Sequence, residues 1–269
     1  MKITAVWARE ILDSRGNPTV EVDVVAENAF GSAAAPSGAS TGRHEAVELR
    51  DGEERYGGKG VRRAVENVKS IIAPAITGMD VTDQEGIDKK MIETDGTKNK
   101  AKLGANAMVA ASMAVYRAAA SAEGKAVYER LGGNTLPYAM FNILNGGKHA
   151  GGKLSIQEFM VIPKADMFAD RLAMASEIYH ALGKGLVKKY GPGAKNVGDE
   201  GGFAPQLGTA HEALDAITAA VEEAGYQKYC GLALDAAADS FYDGKAEKYN
   251  VDGKQLGEGE LLDYYVDLT

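Results

Sequence analysis

Residues 157–163, QEFMVIP, carry the reading of the fold. Phe159, Met160, Val161 and Ile162 form a continuous apolar run too short for a helix, with two polar residues at its start, as in a buried strand. Working outward, residues 141–144 (FNIL), 195–197 (KNV) and 232–235 (LALD) read as three more short strands, beside one at 157–162. Long amphipathic segments lie between them. Leu172, Ala175, Tyr179, Leu182 and Leu186 mark one helical face, and Leu214, Ile217, Val221 and Ala224 mark another. Thr209 with Glu212 reads as a capping box and Gly225 as a helix stop. Short strands alternating with long helices belong to an α/β barrel or a doubly wound sheet, and polar residues at the strand ends favour the barrel. A helical segment at 259–268 precedes the last residue, Thr269, with about four of the usual eight barrel strands in place, so the expected barrel is incomplete.

Upstream of Pro137 the pattern is different. A strand over 3–12, a turn at Arg15-Gly16-Asn17-Pro18 and a strand over 19–26 with Val20, Val22 and Val24 on one face make an antiparallel opening. A helical stripe of Val61, Val65, Val68 and Ile72 follows, closed by Pro74, and then an Ala-rich helix over 106–122. The expected organisation is an α+β domain over 1–136 and a barrel part over 137–269.

The 269 residues carry 30 Lys+Arg against 38 Asp+Glu, a net charge of −8. That balance argues against a general nucleic-acid or anionic-membrane binder, which needs a cationic face. Cys230 is the single cysteine, so no intramolecular disulfide forms, in keeping with a reducing compartment. The N-terminus meets charges before a signal-peptide core develops, and no apolar run is long enough to span a bilayer. The expected location is the cytoplasm. Glycine, 33 residues or about 12% against a usual ~7%, gathers at 38–42, 57–60, 146–152 and 198–202. Three of these clusters surround a polar or ionisable residue, where absent Cβ atoms let backbone amides approach a ligand.

The candidate site residues come from these loops and strand ends. Ser40 lies in SGASTG, residues 37–42, suited to covering an anion or giving oxygen ligands to a hard cation, or else a plain surface turn. His149 lies in NGGKHAGG, where a core-packing role is less natural. Glu158 stands in an apolar strand, where a carboxylate must be paired, protonated or bound. Glu200, in GDEGG, sits just after a strand. Two carboxyls together in a desolvated site share a proton and raise one pKa enough for acid catalysis, although an ordinary salt bridge accounts for each one alone. Asp235 ends a strand and reads equally as an Mg²⁺ ligand or an Asx-type cap.

Seven blocks then occur in order: DSRGNPTVEV (13–22), PSGASTGRHEAVELRDG (36–52), LGANA (103–107), LNGGKHAGG (144–152), QEFM (157–160), NVGDEGGFAP (196–205) and ALDAAADSFY (233–242). Together they closely resemble the enolase family, along the whole chain. The resemblance implies an α+β N-terminal domain before a TIM-type barrel. It also implies Mg²⁺-dependent reversible dehydration of 2-phosphoglycerate to phosphoenolpyruvate, with two Mg²⁺ per complete site, in a homo-oligomer. It makes Glu200 the acid that protonates the departing hydroxyl and Glu158 its partner. Gln157, His149 and Glu158 become substrate contacts, Asp235 the first ligand of the tightly held Mg²⁺, and Ser40 the loop residue on the second. In the family two further acidic ligands, the lysine base and other substrate contacts follow the position of Thr269, so the resemblance implies a chain inactive alone. The competing reading is a non-catalytic binding or structural protein, or a split-enzyme subunit, on the same scaffold. A relative acting on another carboxylate is disfavoured by the SGAST and GDEGG blocks.

Overall fold

The computed structural model describes residues 1–38, 41–42, 44–147, 150 and 152–269, in two compact units, Met1–Thr135 and Leu136–Thr269. In the first unit β1 (Ile3–Leu12), β2 (Pro18–Ala26) and β3 (Ala29–Ala34) form an antiparallel sheet in sequence order. Val20, Val22 and Val24 are fully buried on one face, as strict alternation dictates. They share a core with the Ala-rich helix introduced below. The helical stripe is not closed by Pro74. α1 (Arg62–Asn67) loosens into a π turn over Val68–Ile72, then continues as α2 (Ala73–Ile76). The wider turn accommodates a proline that lacks an N–H and whose ring would collide with a regular α-helical carbonyl. α3 (Gln84–Asp95) begins at Asp83, whose side chain accepts from the Gly86 amide, and α4 (Ala105–Ala122) and α5 (Val127–Leu131) complete the unit.

The third strand, AFGSAA, carried too weak a periodic signal to be expected. Its glycine has a packing reason: a Cβ on Gly31 would overlap the backbone of Ala114 and Ala118 in α4. Small residues on α4 and no side chain at Gly31 let helix and strand backbones touch. Gly31→Ala is therefore expected to destabilise the protein by about 1–3 kcal/mol, the usual result of overpacking. A thermal melt unchanged from wild type would refute that account of the contact.

The second unit holds β4 (Phe141–Asn145), β5 (Glu158–Pro163) and β6 (Cys230–Asp235) in one sheet, paired in that order and antiparallel throughout. Two helices, α6 (Phe168–Tyr190) and α7 (Ala210–Glu223), lie between β5 and β6 in the chain and pack on each other. Ile178, Leu182 and Ile217 join Ile143, Phe159, Val161 and Phe203 in the core, whereas Leu172, expected on the buried face, is half exposed. Thr209 caps α7 by accepting from the Glu212 amide at 3.2 Å, but Glu212 reaches back to the Gly208 amide, one residue early for a capping box. Gly225 adopts φ +81° just past the helix, the usual left-handed stop.

The strand expected at 195–197 does not form. Pro192–Lys195 is a 3₁₀ turn set by the flanking glycines, and Val197 makes only an isolated bridge to Phe203. Phe203 also bridges Leu144 in parallel, so the segment touches the sheet at one point. A small meander, β7 (Tyr242–Asp243), β8 (Lys248–Val251) and β9 (Lys254–Leu256), packs with α8 (Glu258–Asp267) around Phe241, Val251 and Leu261. Asp252 joins this meander to α7, accepting from the Ala210 amide at 2.8 Å and the Tyr264 hydroxyl at 2.5 Å. No described helix is long and apolar enough to cross a membrane.

Candidate active site

The sheet of the second unit brings three of the expected carboxylates together. Glu158 opens β5 and stands directly opposite Asp235 at the end of β6, while Asn145 of β4 stands opposite Glu158 on its other side. Residues directly opposite in an antiparallel pair project from the same face, so Asn145, Glu158 and Asp235 form one row across the sheet. Glu200 reaches Glu158 from the turn that follows α6, and the two carboxyls share a hydrogen bond. That turn is tighter than a strand end. Gly198 donates to the Gly202 carbonyl at 2.8 Å and Gly201, at φ +82°, donates to the Gly198 carbonyl at 3.1 Å.

The electrostatics follow from this crowding. The hydrogen bond to Glu200, partial burial, and the charges of Glu200 and Asp235 together raise the Glu158 carboxyl to about 7. A hydrogen bond between two carboxyls needs one proton, and here Glu158 keeps it. The consequence for stability has a definite sign. Folding binds a proton that the unfolded chain, near the ordinary value of 4.5, has released, so this group's stabilisation is complete below pH 4.5 and is lost as pH rises to about 7. Glu158→Gln mimics the protonated form. It should melt level with wild type near pH 4 and above it at pH 8, and an offset identical at both pH values would contradict the raised pKa.

The remaining expected residues are placed as follows. Gln157 is 3% exposed, beside Glu158 in sequence, and its amide donates to the Asp235 carbonyl at 3.1 Å, so its backbone ties the site strands together. Asp235 is exposed, and its Oδ1 accepts from the Ala237 amide at 3.1 Å, an Asx turn ahead of a short 3₁₀ turn. Ser40 and His149 lie outside the described residues. The stem of the Ser40 loop is held in the first unit: Arg15 donates to the Ser37 carbonyl at 2.9 Å, and the Ser37 hydroxyl donates to Glu48 at 2.8 Å. Two residues at the site were not singled out from the sequence, Asn142 and Asn145. Their signal was present as two asparagines three apart within and beside an apolar strand, FNILN.

Asp235, Glu158 and Glu200 offer hard carboxylate oxygens, the donor type of Mg²⁺ and Ca²⁺. Among the described residues, however, no three His, Cys, Asp or Glu side chains are grouped so as to hold a metal ion. The donor chemistry suits such a cation, but the described residues do not by themselves form its cage.

Glu158 and Glu200 thus form a carboxyl pair at one end of the three-stranded sheet. Residues 3–131 match the family described as the enolase N-terminal domain, and residues 133–269 match the enolase C-terminal TIM barrel domain. Among curated relatives, the protein named enolase from Methanothrix thermoacetophila is 57% identical over 274 residues, covering 100% of this chain and 64% of the relative. That from Thermococcus kodakarensis is 56% identical over 274 residues with the same coverage. That from Methanocaldococcus jannaschii is 55% identical over 273 residues, again 100% of this chain and 64% of the relative. The chain belongs to the enolase family and spans about 64% of the length of these relatives.

Proposed function

We propose that this chain supplies the acid side of an enolase site, acting in the reversible dehydration of 2-phosphoglycerate to phosphoenolpyruvate. The observation that supports it most is the row Glu158–Asp235 with Glu200 hydrogen-bonded across it, in a chain of this family. A hydroxyl leaves carbon as water only if it takes up a proton while the bond breaks. The Glu158–Glu200 pair stores one such proton near neutral pH. In this reading the one shared proton passes from Glu158 across their hydrogen bond to Glu200, which delivers it to the departing oxygen, and the pair takes up one proton from solvent after water leaves. Gln157, Glu158 and His149 orient the substrate.

Asp235 would help hold the first Mg²⁺ and Ser40 the second, and when bound these ions would stabilise the negative charge that builds on the substrate carboxylate. Removal of the C2 proton is assigned to no described residue. The reading places the protein in the cytoplasm, as a homo-oligomer. A non-catalytic role on the same scaffold is the alternative outcome of the test.

That test is a phosphoenolpyruvate absorbance assay at saturating Mg²⁺, run on the chain alone and after co-folding with the remaining third of one of the relatives above. Little turnover is expected alone and clear turnover from the co-folded pair. A pair that associates and folds yet stays silent would overturn the proposed activity.

A further inference from the structure

Asn142 and Asn145 sit where a hydrophobic residue would serve stability better. The Asn145 side chain is completely buried, and among the described residues neither its oxygen nor its nitrogen has a hydrogen-bond partner, nor has Asn142 Oδ1. Burying an unsatisfied polar group costs about 1–3 kcal/mol, so packing does not explain two amides here. Their surroundings do. The Asn142 amide nitrogen donates to Glu200 Oε2 at 3.3 Å. A Cβ on Gly202, two residues after Glu200, would overlap Asn145 Oδ1 and stand 3.0 Å from Asn142 Oδ1. The turn bearing Glu200 therefore rests directly on both amides. Its exit is fixed to the same strand, since Asn145 N donates to the Phe203 carbonyl at 2.8 Å and Phe203 N donates to the Ile143 carbonyl at 3.0 Å.

We propose that Asn142 is a positioning residue for the acid pair: its side-chain amide holds the Glu200 carboxyl within reach of Glu158, while buried Asn145 and the bare Gly202 fix the turn that delivers it. The proposal rests on the acid-pair reading of the site and adds the element that sets its geometry. A carboxylate on an exposed glycine-rich turn has many orientations, and one directional donor from a rigid strand selects among them. The unpaired Asn145 amide and Asn142 Oδ1 are the cost of seating the turn so closely.

A double-mutant cycle read at a fixed pH of 6 tests this, using the side-chain carboxyl ¹³C resonance of Glu158 in the intact labelled chain. Glu200→Gln should move that resonance, because it changes the partner of Glu158. Asn142→Leu should move it too in the wild-type background, and should add no further movement on top of Glu200→Gln, since Asn142 acts through Glu200. If Asn142→Leu fails to fold, Asn142→Ala reads the same term with less bulk. The proposal is overturned if the Asn142 variants leave the resonance at its wild-type position, or move it equally in both backgrounds as a general packing defect would. If Glu200→Gln itself has no effect, the acid pair is not formed and the functional reading falls together with this one.

Discussion

Glu200→Gln is expected to lower 2-phosphoglycerate dehydration by the co-folded pair by about 10²–10⁴-fold, the usual contribution of a positioned proton donor. Substrate affinity should change far less, because the proton is needed only while the hydroxyl leaves, so the loss falls on kcat and not on KM. Gln keeps the size of the side chain and an acceptor oxygen for Asn142, which confines the change to the transferable proton. The assay that follows phosphoenolpyruvate absorbance across a range of substrate concentrations separates the two parameters. A variant that bound substrate poorly yet turned over normally would show that Glu200 is a binding group and not the acid.

Phe203→Ala should have the largest effect on stability. Phe203 is 2% exposed, stacks on Tyr179 with ring centroids 4.2 Å apart, and closes against Gly183 of α6. Removing a buried phenyl ring costs about 3–5 kcal/mol through lost transfer energy and the cavity left behind. The backbone of Phe203 anchors the exit of the Glu200 turn to β4, and the ring seats that backbone against Gly183 and Tyr179, so losing the ring should also loosen the turn. Denaturant melts give the first quantity. Amide hydrogen exchange at Gly198 and Gly201, the donors of that turn, gives the second, measured below the unfolding midpoint. A loss under about 1 kcal/mol, well short of the usual range for a buried ring, would mean that Phe203 is not a core anchor.

What the sequence disclosed follows period and chemistry. The valine alternation of β2 and the stripe of α7 each name their buried face, because a period of 2.0 or 3.6 survives in one chain without any partner. The carboxylates were legible for a similar reason: Glu158 in an apolar strand and Glu200 among glycines are out of place unless something uses them. What stayed hidden depends on contact. The β3 strand owes its place to α4 meeting Gly31, and a glycine in a short small-residue run has no periodic signature. The segment 195–197 looked like a strand because its apolar end meets Phe203, but the glycines on both sides fold it into turns. Asn142 and Asn145 escaped notice because an asparagine in a strand is unremarked until the Glu200 turn is seen resting on it. The pairing of β5 with β6, which puts Asp235 opposite Glu158, joins residues 77 positions apart and cannot be read from local pattern.

The central claim is that Glu158 and Glu200 form one proton-sharing unit, and a pH titration of the Glu158 side-chain carboxyl by ¹³C NMR tests it most directly. The structure calls for a midpoint near about 7, raised first by the hydrogen bond to Glu200. In Glu200→Gln the midpoint should fall back toward the ordinary carboxyl range. A wild-type midpoint near 4.5, or one near 7 that Glu200→Gln leaves in place, would contradict the account.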